Sequence, residues 1–301
     1  MTKTVACLAG DGVGPELMAA ATRALERVAE LHQVPLDDRH LPFAGEAVTR
    51  SGHPLPADTR AAYRDADAIL VAAPHEPALD RVKADLQLAW RAVRVEVGGD
   101  HDLIVAGPVE EWANATAIGR AFACAAARRG RITCVGFSRA WRDALASERA
   151  AWDGLTVDEA RLGETLVALR DRPYSIDVIV TEAHLVDAIV DAASSLAGSS
   201  GSVAHGWLPD DGPGIFAPAS REPDEEAGFG VADPKAMLLA TSLMLAEGLE
   251  RRAASRTLER AVSAAARRTG NTRDTRAFTD AVIELLPQTR TDVDHFDEVW
   301  R

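Results

Sequence analysis

Apolar positions along the chain follow two different periods. Short runs in which nearly every residue is apolar predict buried strands, namely residues 4–9, 67–74, 100–108, 131–137 and 175–184. Longer segments with apolar residues three or four positions apart predict helices, namely one after Pro15, 56–66, 114–130, one ending near 197, 234–254, 256–269 and 273–286. Strands that alternate with helices in this way indicate an α/β fold.

The composition narrows the class of protein. A chain of 301 residues suits two modest domains or one large domain. The net charge of −13 argues against nucleic-acid binding, because Lys and Arg must neutralise phosphates. No apolar run approaches the roughly 18 residues of a membrane span, and no export signal is visible, so we expect a cytoplasmic protein. Cys7, Cys124 and Cys134 have apolar neighbours, which predicts buried free thiols.

A glycine-rich turn, LAGDGVGPELM at residues 8–18, joins the first predicted strand to the first predicted helix. Its glycines, Gly10, Gly12 and Gly14, are spaced by single residues, so the turn is not the G-x-G-x-x-G of a dinucleotide-binding fold. It also lacks the Lys and the Ser or Thr of a phosphate-binding loop. By spacing alone, the turn is a weak signal of function.

Several segments together resemble the isopropylmalate and isocitrate dehydrogenases, a family of β-decarboxylating dehydrogenases. The opening turn is similar to the start of that family, and residues 41–74 resemble its first-domain segment. Residues 176–199 (IDVIVTEAHLVDAIVDAASSLAGS) resemble its metal-binding helix. Residues 216–245 (FAPASREPDEEAGFGVADPKAMLLATSLML) resemble its cofactor loop and the helix that follows. The matching segments occur in the family's order along most of the chain.

The resemblance implies an isopropylmalate dehydrogenase-like fold of two interleaved α/β domains with an interdomain cleft. The first domain would combine about 1–90 with 199–301, and the second, dimerisation domain would span about 91–198. The family oxidises a 2-hydroxy acid with a nicotinamide cofactor and a divalent metal, and then releases carbon dioxide. Because the family dimerises through helices of the second domain, we expect a homodimer or a partnership with an intact family member.

Two arginines, Arg81 and Arg91, match substrate-binding arginines of the family. Guanidinium groups bind carboxylates through paired hydrogen bonds, which suits a small carboxylate ligand. Taken without the resemblance, two solvated surface charges would be the simpler interpretation. The family's third arginine is replaced here by Ala106.

Two aspartates on one predicted helix are the candidate metal ligands. Asp187 and Asp191 are four residues apart, which places both carboxylates on one helix face. They match metal-ligand aspartates of the family, and hard oxygen ligands suit Mg²⁺ or Mn²⁺. A solvated acidic pair, or carboxylates paired with arginines, is the alternative. The family's third aspartate, delivered across the dimer, corresponds here to Gly163, with Glu164 beside it and Asp158 further away.

The family's proton-transfer groups are replaced in this chain. Arg139 stands at the position of the catalytic lysine, where it would hold an anion but cannot release a proton near neutral pH. Lysine is absent between 84 and 234, and the shortened arm after the third predicted strand carries no tyrosine. Because histidine side chains in general titrate near neutral pH, His184 or His205 could be a substitute acid or base, but a lone histidine is more often a surface or core residue.

The stretch that resembles the cofactor loop keeps some of the family's residues. Glu225 falls where an acid accepts hydrogen bonds from ribose hydroxyls, which would favour NAD over NADP because it repels a 2′-phosphate. Gly228 and Gly230 preserve a tight loop, and Asp233 stands where the family has an asparagine. An acidic surface loop that binds nothing is the alternative interpretation of this segment.

Two interpretations of the function remain open. In the first, the chain is a divergent NAD- and divalent-metal-dependent dehydrogenase of a small 2-hydroxy carboxylate. In the second, it is a noncatalytic relative, either a regulatory or stabilising subunit or a carboxylate-binding protein. Ser220 and Arg221 replace the His–Gly pair that opens the family's cofactor loop, which adds to the losses described above. Because a general acid or base is worth roughly 10²–10⁴ in rate, loss of both lysine and tyrosine favours loss or change of the ancestral reaction.

Overall fold

Strands and helices alternate through the described part of the chain, which confirms the α/β fold class. The computed structural model describes residues 1–74, 77–98, 101–110, 112, 114–197, 203–219, 224–270, 272–289 and 292. The strands are β1 (Lys3–Leu8), β2 (Leu36–His40), β3 (Ala68–Val71), β4 (Leu88–Gly98), β5 (His101–Pro108), β6 (Arg131–Val135), β7 (Thr156–Ala160), β8 (Val178–Thr181), β9 (Val203–Pro209) and β10 (Gly214–Pro218). The helices are α1 (Gly14–Leu31), α2 (Ala44–Ser51), α3 (Ala57–Arg64), α4 (Pro77–Asp85), α5 (Asn114–Ala126), α6 (Arg139–Arg149), α7 (Leu162–Asp171), α8 (Val186–Ala197), α9 (Lys235–Leu243), α10 (Arg252–Thr269) and α11 (Thr275–Leu285).

The chain divides into two compact units. The first unit combines Met1–Leu86 with Asp211–Arg301, and the second unit is Gln87–Asp210. By this division β9 belongs to the second unit, whereas the boundary drawn from the sequence near residue 199 assigns it to the first domain. The domain boundaries drawn from the sequence stay a prediction.

The first unit is built on strands that pair in parallel in the order β2-β1-β3-β10. Every residue of β3 and β10 is buried, as is the second half of β1. Near-continuous apolar runs of this kind are typical of parallel strands that are covered on both faces. The helix α9 is equally apolar, and each residue from Ala236 to Leu243 is buried.

The glycine-rich turn between β1 and α1 is a corner that depends on glycine. Gly10 and Gly12 have positive φ angles of 73° and 60°, a conformation that other residues rarely adopt. A Cβ atom on Gly14 would stand 2.0 Å from the carbonyl oxygen of Ala9, so the chain folds back on itself too tightly for any side chain there. The turn therefore serves backbone geometry.

Asp11, at the tip of this turn, fastens the turn to the start of α2. Both oxygens of its carboxylate accept a hydrogen bond from the backbone N–H of Gly45, at 3.0 and 2.9 Å. The first N–H groups of a helix have no partner within the helix, so the carboxylate satisfies one of them. A Cβ atom on Gly45 would lie 2.6 Å from these same oxygens, which explains why a glycine occupies the position.

The helix α4, which carries Arg81, is held at its end by a polar cluster around Asp85. The carboxylate of Asp85 accepts hydrogen bonds from Arg60 at 2.7 and 2.5 Å and from the hydroxyl of Tyr63. Arg64 lies 3.1 Å from the same carboxylate. The hydrogen bonds from Arg60 and Tyr63 outweigh partial burial and hold the pKa of Asp85 at about 2. The carboxylate is thus charged at neutral pH and joins α4 to α3.

The prediction of a single helix over 234–254 is wrong. The helix α9 ends at Leu243, a π-helical turn spans Met244–Gly248, and α10 begins only at Arg252. Gly248 packs so closely on Phe216 that a Cβ atom would lie 2.7 Å from the ring. Glu250 then adopts a positive φ of 57°, which ends the helical path. Apolar periodicity continues through this break, so the sequence pattern does not reveal it.

The second unit contains a mixed sheet in the order β9-β4-β5-β8-β6-β7. Both β9 and β5 pair with β4 in antiparallel register, whereas the pairs β5–β8, β8–β6 and β6–β7 are parallel. Arg91 of β4 lies opposite Gly107 on one side and Trp207 on the other, and Val93 lies opposite His205. Residues directly opposite each other in such pairs project to the same face of the sheet.

A buried charge network fixes the other face of β4 and β5. Asp102 lies 3.2 Å from the guanidinium of Arg94 and 3.0 Å from that of Arg128. Arg128 also donates to Asp177 at 2.7 Å, and the backbone N–H of Arg129 donates to Asp177 at 2.8 Å. Burial raises the pKa of Asp102, but the surrounding guanidinium groups outweigh it and hold that pKa below its usual range. These contacts join α5 and β8 to the strands that carry the candidate site.

Two further expectations concern cysteine and the membrane. Cys7, Cys124 and Cys134 are buried and free, as the sequence predicts. Within the residues that the structure describes, no helix is both long enough and apolar enough to cross a bilayer. The Gly- and Ser-rich stretch 198–202 lies outside the described residues.

An alanine at position 45 is expected to destabilise the first unit. The added Cβ would displace the Asp11 carboxylate and weaken its hydrogen bonds to the start of α2. We expect Gly45→Ala to lower the free energy of unfolding by about 1–2 kcal/mol, as for loss of a charge-assisted hydrogen bond. Thermal and urea unfolding of the purified chain measure this change.

Gly163→Ala is the matched control for this substitution. A Cβ atom at Gly163 meets nothing within 4 Å, and the residue lies in the first turn of α7. Replacing glycine by alanine in a helix is favourable by up to about 1 kcal/mol, so this variant should be unchanged or slightly more stable. Equal behaviour of the two variants would contradict the role of the Asp11–Gly45 contact.

Candidate functional site

Two of the candidate site residues contact each other directly within the second unit. The Nη2 atom of Arg91 donates a hydrogen bond to Oδ1 of Asp187 at 2.8 Å. The Arg91 side chain is 16% exposed, whereas that of Asp187 is 73% exposed. A mostly buried cation therefore meets a carboxylate that is open to solvent. The Nε atom of Arg91 is buried and has no hydrogen-bond partner in the described structure.

The pairing follows from how α8 packs on β4 and β5. The helix buries Val186, Ile189, Val190 and Ala193 against the sheet, and Asp187 lies at the edge of that buried face. Gly107, directly opposite Arg91, permits the close approach, because a Cβ atom there would lie 2.5 Å from Cγ2 of Val186. A side chain at position 107 would push α8 away from Arg91.

An aromatic pair lies beside this ion pair on the same face of the sheet. The rings of His205 and Trp207 are stacked, with centroids 5.2 Å apart and planes at 12°. The hydrogen bond from Arg91 lowers the pKa of Asp187 against the opposing effect of partial burial, and the charges of Arg91 and His205 add to the lowering. Arg91, Asp187, His205 and Trp207 thus form one cluster, which we call the β4–α8 cluster.

Asp191, the second candidate metal ligand, lies one helical turn beyond Asp187 and is exposed. Its carboxylate has no partner among the residues that the structure describes. Within the described ranges, no group of three or more His, Cys, Asp or Glu side chains forms a metal-binding cluster. Two carboxylates at this spacing fit Mg²⁺ or Mn²⁺, because such ions keep several waters and commonly bind through one or two carboxylates and substrate oxygens.

Arg139, the candidate catalytic residue, lies at the start of α6 and is 90% exposed. Its nearest ionic partner is Asp143, one turn along the same helix, at 3.7 Å. The turn before α6 is fixed by Glu182, whose carboxylate accepts hydrogen bonds from the backbone N–H groups of Phe137 and Ser138 at 2.9 and 3.2 Å. Burial raises the pKa of Glu182, but these hydrogen bonds outweigh it and hold the pKa below its usual range.

The remaining candidate residues belong to the first unit. Arg81 is exposed on α4. Residues 224–234, which we call the cofactor loop, are fixed by backbone contacts at Gly230: its N–H donates to Oε2 of Glu16 at 3.1 Å, and its carbonyl accepts from the N–H of Thr275 at 2.9 Å. The loop is therefore anchored to both α1 and α11.

Within the cofactor loop, the candidate residues have different surroundings. Glu225 is exposed, so its carboxylate is open to a ligand. Gly228 and Gly230 adopt positive φ angles of 79° and 69°, so the loop shape depends on these two glycines. Asp233 accepts a hydrogen bond from the N–H of Lys235 at 2.9 Å and thereby satisfies the first N–H group of α9.

Comparison with known proteins places this arrangement in a family. The chain matches the sequence profile described as isocitrate/isopropylmalate dehydrogenase over residues 4–95 and 109–285. It belongs to the isocitrate/isopropylmalate dehydrogenase family. The resemblance inferred from the sequence is therefore confirmed.

Individual relatives agree with this assignment. The 3-isopropylmalate dehydrogenase of Synechococcus sp. (strain CC9605) is 30% identical over 320 residues, covering 86% of this chain and 90% of the relative. That of Streptococcus mutans is 26% identical over 344 residues, covering 94% of this chain and 100% of the relative.

Solved structures confirm the fold. The apo form of a β-decarboxylating dehydrogenase from Thermococcus kodakarensis has a TM-score of 0.81 at 21% identity and covers 99% of each chain. Isocitrate dehydrogenase from Methylococcus capsulatus has a TM-score of 0.75 at 20% identity, covering 94% of this chain and 99% of that one.

Positions at which the resemblance implies a replaced family residue, and two acids near them, have the following surroundings. Ala106 is fully buried, and it lies between the two stretches that match the family. Glu164 accepts a hydrogen bond from the N–H of Arg161 at 2.9 Å, which fixes the start of α7. Asp158 lies on β7, and Gly163 is exposed. Ser220 and Arg221 lie outside the described residues.

Sequence reasoning within the family missed Trp207 and gave His205 no role. Neither residue matches a family motif, and neither belongs to a spacing that marks a site. The available signal was the alternation His205-Gly206-Trp207 in a strand, which places both rings on one face. Their position beside Arg91 depends on the antiparallel register of β4 and β9, which a single sequence does not specify.

Removal of the Arg91 guanidinium should raise the pKa of Asp187. The guanidinium favours the charged form of the carboxylate, so in Arg91→Met the pKa is expected to move back towards its usual value. NMR titration of the aspartate carboxyl carbons measures the change. Arg139→Met is the control, since the ionic partner of Arg139 is Asp143. An Asp187 titration that is the same in Arg91→Met and the parent chain would contradict the pairing.

Proposed function

We propose that this chain is an oxidoreductase that uses NAD and a divalent cation to oxidise a small 2-hydroxy carboxylate. The observation that carries the proposal is the bonded pair of Arg91 and Asp187, with Asp191 one turn further along the same helix. An arginine for a substrate carboxylate and two acids for a cation thus lie within one compact unit. Membership in a dehydrogenase family supports the same reaction class.

Arg91 would bind and orient the substrate carboxylate. Its guanidinium is already held in place by burial and by Asp187, so little side-chain freedom is lost when an anion binds. Asp187 and Asp191 would hold Mg²⁺ or Mn²⁺. The chemistry that a divalent cation would supply there is positive charge, which would favour loss of the proton from the substrate hydroxyl.

The cofactor loop would hold NAD. Its anchors at Glu16 and Thr275 keep the backbone in one conformation, and the exposed Glu225 is free to accept hydrogen bonds from ribose hydroxyls. A negative charge at this position repels a 2′-phosphate, so NAD is favoured over NADP. When bound, NAD would supply the acceptor for the hydride lost by the hydroxyl-bearing carbon of the substrate, and the hydroxyl proton would pass to water.

Arg139 would hold an anion rather than move a proton. A guanidinium stays protonated at any useful pH, so it cannot act as the base that a lysine provides. Its exposed position at the start of α6 leaves the charge available to a ligand or to a second subunit. We expect turnover to be slow, because a missing general base costs roughly 10²–10⁴ in rate.

A noncatalytic role is the second candidate function. It is favoured by the fully buried Ala106 at the family's third arginine position, together with the exposed Arg139 at its lysine position. In this case the β4–α8 cluster would still bind a carboxylate, but no hydride would be transferred. The chain would then act as a carboxylate-binding protein or as a regulatory partner of an intact family member.

We also propose a homodimer formed through α7 and α8. Val167 of α7 and Leu196 of α8 are exposed apolar residues, at 49% and 42%, on two helices that contact each other. Burial of these side chains against a second copy would remove apolar surface from water.

Purified chain with Mg²⁺, NAD and a panel of lactate, malate, tartrate and 3-isopropylmalate tests the proposed function. We expect NADH absorbance to rise with at least one acid, and calorimetry to show that NAD binds more tightly than NADP. The absence of both NAD binding and NADH formation would reject the enzyme. Carboxylate binding without NADH would support the second candidate function instead.

A matched pair of variants tests the metal site in the same assay. Asp191→Asn removes a candidate ligand and leaves the Arg91–Asp187 bond intact, so it should weaken Mn²⁺ binding and lower any turnover. Asp153→Asn removes an exposed acid elsewhere in the second unit and should change neither quantity. Equal effects of the two variants would contradict the metal role of Asp191.

A further inference from the structure

The β4–α8 cluster contains an aromatic surface that the proposed function does not use. Trp207 is directly opposite Arg91 in the β4–β9 pair, so the two side chains leave the sheet on the same face. Cβ atoms of directly opposite residues are about 5 Å apart. A ligand that binds the Arg91 guanidinium is therefore within reach of the Trp207 ring.

The orientation of the indole is fixed by its neighbour. His205 lies two residues earlier on β9, and its ring stacks on that of Trp207 with centroids 5.2 Å apart and planes at 12°. Both side chains are partly exposed. The stack therefore presents a flat, rigid and partly solvent-accessible surface beside the Arg91–Asp187 pair.

We propose that Trp207 determines substrate specificity and that the substrate is a 2-hydroxy carboxylate with a flat, unsaturated substituent. The carboxylate would bind Arg91, and the substituent would lie against the indole supported by His205. This inference rests on the proposed function for the hydroxyl group of the substrate. The carboxylate would be recognised by Arg91 and the flat substituent by Trp207, whether or not the chain oxidises the substrate.

The aromatic surface beside Arg91 favours a flat apolar group on the substrate. Aromatic surfaces bind other π systems through offset or edge contacts that add to simple burial of apolar area. An aliphatic substituent would gain only the free energy of burying apolar surface.

The direct test compares the binding of 3-phenyllactate, lactate and malate to the purified chain by calorimetry. We expect 3-phenyllactate to bind about tenfold more tightly than lactate, and to quench tryptophan fluorescence where lactate does not. In Trp207→Leu, the affinity for 3-phenyllactate should fall about three- to tenfold, while that for lactate is unchanged.

Two control variants separate recognition from structure. Trp152→Leu removes another tryptophan of the second unit, which packs against Phe122 with centroids 6.3 Å apart, and it should preserve the preference for 3-phenyllactate. Trp207→Phe keeps a ring at the site and should restore most of the preference. If Trp207→Leu fails to fold, the affinities of the parent chain and of Trp207→Phe for the three acids still test the inference.

Three results would overturn the inference. The first is equal affinity of the parent chain for 3-phenyllactate and lactate. The second is an equal loss of affinity for both acids in Trp207→Leu, and the third is that none of the three acids binds. NADH formation from lactate or malate without a preference for 3-phenyllactate would reject this inference and leave the proposed function intact. A Trp207-dependent preference without NADH formation would leave the inference intact and reject the enzyme.

Discussion

The hydrogen-bonded ion pair between Arg91 and Asp187 is the contact on which the candidate site depends. It joins strand β4 to the helix that carries both candidate metal ligands. Exposed ion pairs contribute at most about 1 kcal/mol to stability, so the importance of this one lies in geometry. It fixes a mostly buried cation and an exposed carboxylate at 2.8 Å from each other.

The same pairing sets a condition for function. Arg91 and Asp187 neutralise each other in the free chain, so neither presents its full charge to a ligand. When ligands separate the pair, a bound carboxylate neutralises Arg91 in place of Asp187. A bound cation likewise neutralises Asp187 in place of Arg91. Ligands of opposite charge should therefore favour each other's binding, whereas either one alone must compete with the existing pair.

Much of the fold follows from the sequence because its signals are local. The five predicted strands overlap observed strands, and the two acids of α8 lie on one helix face, because both patterns depend only on short-range geometry. The break between α9 and α10 could not be predicted from the local sequence, because it depends on the packing of Gly248 against Phe216, which is distant in sequence. The position of Trp207 depends likewise on strand register.

The candidate site residues come from the family resemblance, whereas spacing alone favours solvated charges at the same positions. Neither His205 nor Trp207 belongs to a motif of that family. Only the structure brings His205 and Trp207 beside Arg91.

A crystal structure with Mn²⁺ and malate, with anomalous scattering recorded for manganese, tests the central claim most directly. The expected result is a manganese peak between the carboxylates of Asp187 and Asp191, with a malate carboxylate on the Arg91 guanidinium. An Arg91–Asp187 hydrogen bond that persists unchanged, with no manganese at the two aspartates, would contradict it.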